Sequence, residues 1–190
     1  MILPIVAFGN PLLRKVAQEV NGDAEINELI EDMFETMYFA NGVGLAAPQV
    51  NQSLRLIVMD ASPYKEKFPE LTDVKKVLIN PEILDEDGEI CSMSEGCLSI
   101  PHLDEYVERK SKIRIKYQDA NKVWHDEQYD GIMARIMQHE YDHLNGVLFI
   151  DHLNPLRKMI LKRKLTDISK GIVDVDYKMI FHSSKKNGNK

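Results

Sequence analysis

Residues 131–144 constrain this chain most. Apolar positions recur there at helical spacing, and Ile132, Ile136, His139 or Glu140, and His143 fall on one stripe. The apolar half of such a stripe packs inward, so the histidine half is carried inward with it. His139 and His143 stand at i and i+4, which puts both imidazoles on one helix face with Glu140 beside the first. Asn145-Gly146 then stops the helix.

Cys97, in Glu95-Gly96-Cys97-Leu98-Ser99, is the second piece. Gly96 removes bulk beside it, and Leu98-Ser99-Ile100-Pro101 reads as the start of a strand. A thiol on a rigid strand, facing a helix with two histidines, makes a three-point cage. One thiolate and two neutral imidazoles are three metal ligands. Three protein ligands leave a position for water, which separates a catalytic site from a closed structural one. If the three converge, the chain is a metallohydrolase in which Glu140 handles the protons. The bland alternatives are an inert buried thiol and two histidines that merely fall four apart. A His-Glu-x-x-His peptidase would draw its third ligand from downstream, where Asp151 and His152 are available. A non-catalytic, metal-stabilised binding module is the third reading.

A chain of 190 residues is one domain, or one domain with an extension. Residues 24–39 read as an amphipathic helix with Asp23 as its N-cap and Asn41-Gly42 at its end. Short strands are expected at 54–59, 77–80 and 113–117, with a return strand beginning at 123–125 after a turn at 119–121. Residues 60–73 read as a surface loop. A last helix runs over 155–169, with Pro155 in its first turn behind Asn154. Residues 171–181 suit an extended strand, and 183–190 a polar, frayed tail. Helix, then strands, then helices, without alternation, is an α+β pattern.

The formal net charge of −6 argues against DNA binding. No apolar run reaches the ~18 residues of a membrane span. The apolar start, residues 1–8, lacks the basic flank of a signal peptide. Two cysteines, Cys91 and Cys97, are too few for a disulfide framework. A reducing cytoplasm is expected, with Cys97 committed elsewhere and Cys91 chemically idle. Basic residues gather in the last helix at Arg157, Lys158, Lys162, Arg163, Lys164 and Lys170.

Gly42-Val43-Gly44-Leu45-Ala46-Ala47-Pro48-Gln49 does not fit a dinucleotide fingerprint, because the third glycine and the strand-to-helix setting are missing. By itself it is only a loop with Gln49 as an exposed polar residue; the functional alternative is that its small residues let a substrate backbone approach, with Gln49 aimed at an active site. Together with Glu95-Gly96-Cys97-Leu98-Ser99 and Gln138-His139-Glu140-Tyr141-Asp142-His143-Leu144-Asn145-Gly146, it resembles the three signature motifs of the peptide deformylases. The motifs stand in that family's order, and the resemblance spans residues 3–170.

The resemblance implies removal of the N-formyl group from the initiator methionine of nascent bacterial proteins. It implies a divalent metal on Cys97, His139 and His143, usually Fe(II) in the cell, with Zn, Ni or Co able to replace it. Glu140 would be the general acid/base, and Gln49 with the backbone N–H of Leu98 would hold the oxyanion. Val43, Gly44, Glu95, Gly96 and Ile136 would line the substrate site, Val43 and Ile136 forming the methionine pocket. An extended peptide would add as a strand beside Gly44 and Leu98. The implied fold is α+β, antiparallel strands around a central His-Glu-x-x-His helix with a C-terminal helix. One catalytic domain would cover 1–170, its basic helix at 155–170 being either a solvated face or a contact with ribosomal RNA. Three features fall outside the resemblance. Pro101-His102-Leu103-Asp104 replaces a segment where some relatives carry a basic side chain. The 60–73 loop is longer than in the shortest relatives, and the 171–190 extension has no assigned role.

Overall fold

The computed structural model describes residues 1–21 and 26–182. Five strands make one antiparallel sheet in the order β2 (Gly44–Ala46), β3 (Leu56–Asp60), β4 (Lys75–Cys97), β5 (Ile100–Gln118) and β6 (Trp124–Asp130). A second, two-stranded sheet pairs β1 (Ile5–Val6) in parallel with β7 (Met179–Ile180). The α-helices among the described residues are α1 (Asn27–Phe39), α2 (Gly131–Leu144) and α3 (Pro155–Ser169). This is the expected α+β class.

Most of the sheet is one long hairpin, β4–β5, which the sequence did not announce. Within β4, strand was expected only at 77–80 and at Cys97; the strand expected from Leu98 starts at Ile100 instead, after a Leu98-Ser99 turn that reverses the chain. Pro81, Gly88 and the acidic run 85–87 argue locally against a strand. The chain accommodates them with register shifts between Ile79 and Glu82, Ile83 and Asp85, and Asp87 and Ile90. Pro81 has no N–H to donate, and it sits inside the first of these irregularities. On β5 the alternation is plain: Leu103, Glu105, Val107, Arg109, Ile113, Ile115 and Tyr117 are buried, and the opposite face, with His102, Asp104, Tyr106, Glu108, Lys110, Arg114 and Lys116, is exposed.

The helices cover this sheet through apolar stripes. In α1 Ile30, Met33, Phe34 and Met37 join Leu45, Leu56 and Val58 in one core cluster. In α2 Met133, Ala134, Ile136 and Met137 join Ile57, Met59, Ile113 and Ile115, and the helix contacts β2, β3, β5 and β6. In α3 Leu161, Leu165 and Ile168 meet Leu103, Val107 and Phe149.

Helix boundaries follow local chemistry. Asn154 caps α3 by accepting from the Arg157 N–H at 2.8 Å, as expected. Gly146, just past the end of α2, has φ +72°, and a Cβ there would lie 2.6 Å from the Arg14 carbonyl oxygen. That combination admits only glycine. The first helix begins at Asn27 rather than 24; Asp23 and the tail 183–190 lie outside the described residues. The 42–49 segment holds β2 and a 3-10 turn at Ala47–Val50, not loop alone. Of 171–181, only Met179–Ile180 is strand, because its partner β1 is itself two residues long.

Candidate metal centre

Cys97 is the last residue of β4 and pairs with Ile100 across the Leu98-Ser99 turn. It faces α2, and one donor atom from each of Cys97, His139 and His143 lies within 4.8 Å of the others. Cys97 Sγ is 3.3 Å from His143 Nε2. The three predicted ligands are therefore brought together.

The His139 imidazole is held from behind. Glu95 is 5% exposed, and its Oε2 lies 2.8 Å from His139 Nδ1. With Nδ1–H donated to the carboxylate, the Nε2 lone pair is left for ligation. Arg109 donates to both Glu95 oxygens, Nε at 2.7 Å and Nη2 at 3.0 Å, and Arg135 Nη1 donates at 2.7 Å. Burial pushes the Glu95 carboxyl up, but the hydrogen bonds from His139 and Arg109 outweigh it and hold it well below the usual carboxylate range. Arg109 continues to Asp142 (2.8 Å), and Asp142 to His152 (2.8 Å).

Glu140 is 5% exposed, and its Oε2 has no hydrogen-bond partner among the described residues. Burial pushes its carboxyl up. Gly44 makes room for it, since a Cβ at residue 44 would overlap the Glu140 carboxylate. Gln49, 1% exposed, accepts the Ala46 N–H at its Oε1 (2.9 Å). That bond fixes the amide, so Nε2 points at Cys97 Sγ (3.4 Å) and Ser99 Oγ (3.3 Å).

The donor set suits a divalent metal. Sulfur and nitrogen atoms converge, a buried carboxylate oxygen stands unpartnered beside them, and burial of the Cys97 thiol is opposed by the two imidazoles. Burial alone would raise that thiol; His143 and His139 pull it down to about 5. A cleft of about 610 Å³ opens onto this cluster. Val43, Gly44, Gln49, Glu95, Gly96, Cys97, Leu98, Ile136, His139 and Glu140 all line it, whereas His143 is not part of the lining. Asp151 and His152, the alternative third ligands, are engaged elsewhere. Asp151 pairs with Arg14 and accepts the Leu148 N–H, and His152 meets Asp142.

The sequence profile of the polypeptide deformylase family matches residues 2–159. A peptide deformylase of Christiangramia forsetii is 48% identical over 194 residues, covering 98% of this chain and 99% of that protein. The chain belongs to the polypeptide deformylase family. Solved deformylases share the fold: the enzyme of Legionella pneumophila superposes with a TM-score of 0.79 at 39% identity, covering 90% of this chain and 98% of that one. A class I type b deformylase of Acinetobacter baumannii, solved with Met-Ala-Ser bound, gives 0.74 at 36% identity, covering 80% and 99%.

Sequence reasoning missed Arg109, Arg135 and Tyr177. The first had a readable signal. Arg109 occupies the buried register of β5 with Leu103, Glu105 and Val107, so a charge was due to be buried and paired. Glu105, in the same register, is paired with Arg157 at 2.7 Å.

The depressed Cys97 pKa gives a pH prediction for metal-stripped protein. A group whose pKa falls on folding adds stability above its ordinary range and loses that contribution as pH falls through the folded value. Thiolate ultraviolet absorbance, absent in Cys97→Ala, should therefore titrate with a midpoint near 5. A midpoint at the ordinary thiol value of about 8.5 would contradict the cluster's electrostatics.

Proposed function

We propose that this deformylase hydrolyses the N-formyl amide of formyl-methionyl peptides on a metal held by Cys97, His139 and His143, with Glu140 as proton carrier. The chain is a hydrolase of the family that removes the formyl group from nascent peptides. The carrying observation is the buried, unpartnered Glu140 Oε2 beside the sulfur-nitrogen cluster. A divalent ion bound there supplies Lewis acidity and hydroxide near neutral pH.

Glu140 takes the proton of the attacking water and passes it to the departing amine, leaving formate and a free N-terminus. Burial raises its pKa, which favours its holding the proton that it returns to the amine. Gln49 Nε2 and the Leu98 N–H receive the charge that grows on the formyl oxygen. Each such donor is worth roughly 10² to 10³ in rate. Val43 and Ile136 line the methionine pocket, and Gly44 and Gly96 lie where an extended peptide would run. Glu95 also lines the cleft, but its oxygens are occupied by Arg109, Arg135 and His139, so we assign it to holding His139.

Fe(II) is the proposed metal in the cell, and the ligand types equally suit Zn, Ni or Co. The engagement of Asp151 and His152 away from the cluster disfavours the peptidase reading. We place the catalytic domain at residues 1–170, with α2 as its central helix and 171–190 as an extension. No described helix is long and apolar enough to cross a membrane. A cytoplasmic location follows from the nascent-peptide substrate. Lys158, Lys162, Arg163 and Lys164 are exposed on α3, which supports a contact with ribosomal RNA.

Glu140→Gln should lower kcat for formate release from formyl-Met-Ala-Ser by roughly 10² to 10⁴ while metal content stays at wild type. Turnover surviving that change would refute the proton-carrier role. Replacing Lys162, Arg163 and Lys164 with alanine should weaken co-sedimentation with ribosomes most at low salt. Unaltered co-sedimentation there would remove the α3 contact.

A further inference from the structure

We propose that Tyr177, which lies outside all three motifs, is a positioning residue: its hydroxyl holds the Leu98 carbonyl and so aims the Leu98 N–H into the cleft. The inference rests on the reading of Leu98 as an oxyanion donor.

Leu98 has a weak frame of its own. It stands with Ser99 in the turn between β4 and β5, and the last ladder pair is Cys97 with Ile100. The Cys97–Leu98 plane, which carries the Leu98 N–H, adjoins that pair, whereas the Leu98–Ser99 plane, which carries the Leu98 carbonyl, turns on dihedrals beyond it. What holds them comes from elsewhere in the chain. The Tyr177 hydroxyl donates to the Leu98 carbonyl oxygen at 2.8 Å. The Phe8 N–H donates to the Ser99 carbonyl oxygen at 2.8 Å. Gln49 Nε2 reaches Ser99 Oγ, and the Leu98 side chain lies against Gly42.

Two of these restraints share one origin. Phe8 follows β1 and Tyr177 precedes β7, and these strands pair with Ile5 opposite Met179 and Val6 opposite Ile180. The Ile5 N–H donates to the Lys178 carbonyl at 2.8 Å, and the Ala7 N–H to the Ile180 carbonyl at 2.9 Å. The small parallel ribbon is thus a clamp with one donor on each arm, both closing on the Leu98-Ser99 turn. Upstream, His102 Nε2 meets the Asp174 carbonyl oxygen at 2.6 Å, which ties the approach of the extension to β5. Asp174, Val175, Asp176 and Tyr177 line the same cleft as the metal ligands. The extension that carried no motif therefore acts on the site through one phenol.

Oxyanion stabilisation depends on a donor being in place before charge develops, within about 0.5 Å and 10–20°. A hydroxyl that fixes the Leu98 carbonyl narrows the dihedral on which the neighbouring N–H depends. Losing one neutral hydrogen bond of about 1 kcal/mol corresponds to a several-fold change. The effect belongs in kcat, because the oxyanion exists only along the reaction path. A tyrosine that merely walled the cleft would be felt in KM or in stability.

The test uses the full-length, metal-loaded enzyme and formyl-Met-Ala-Ser. Tyr177→Phe, which keeps the ring, should lower kcat about 3- to 10-fold with KM, metal content and thermal midpoint near wild type. A second variant replaces the Cys97–Leu98 amide by an ester through semisynthesis, deleting only the Leu98 N–H. The ester should lower kcat by roughly 10², and Tyr177→Phe should add nothing in that background. A costly ester with unchanged kcat in Tyr177→Phe overturns the role of Tyr177 alone, as does an undiminished Tyr177→Phe effect in the ester enzyme. A change confined to KM overturns it too. An ester without cost removes the Leu98 reading and the role of Tyr177 together.

Discussion

Glu95 is a carboxylate withdrawn from water, and the site depends on what surrounds it. It sits near the end of β4 and binds Arg109 of β5 together with Arg135 and His139 of α2. The same contact that pins α2 against the hairpin sets the orientation of the His139 imidazole. Removing one partner of such a buried group typically costs about 3–5 kcal/mol, because the remaining charges stay desolvated. Arg109 extends the restraint along α2 to Asp142, one residue before His143. Fold and chemistry share their most expensive interaction here.

The elements divide the work of the site. The strand pair β4–β5 supplies the thiol and the backbone of the turn that follows it. The helix α2 supplies two imidazoles and a buried carboxylate. The segment from β2 through the 3-10 turn supplies Gly44, which leaves space for Glu140, and Gln49, whose amide is oriented by the Ala46 N–H. These pieces meet in a cleft that residues 174–177 also line. The rigidity of each piece comes from burial: His139, Glu140, His143 and Gln49 are all 9% exposed or less.

Much of this was legible in the residues. The stripe of α2 carried its histidines inward, Asn154 and Gly146 marked helix ends, and three short motifs identified the chemistry. What escaped did so for physical reasons. The strand β4 hides behind Pro81, Gly88 and an acidic run, which its ladder with β5 accommodates through register shifts. Arg109 was readable, since alternation put a charge in the buried register of β5. Arg135 carries no local signal, because its partner Glu95 is 40 residues away in the chain. Tyr177 had no local signal. Its partner Leu98 lies far away in sequence, and only the pairing of β1 with β7 brings the two together.

The central claim is that the metal is held by one sulfur and two imidazoles, and X-ray absorption on the zinc-loaded protein tests it directly. The account predicts a first shell with one sulfur at about 2.3 Å and two imidazole nitrogens at about 2.0–2.1 Å, leaving one position for solvent. A first shell without sulfur, or one that loses a ligand in Asp151→Ala or His152→Ala, would contradict it.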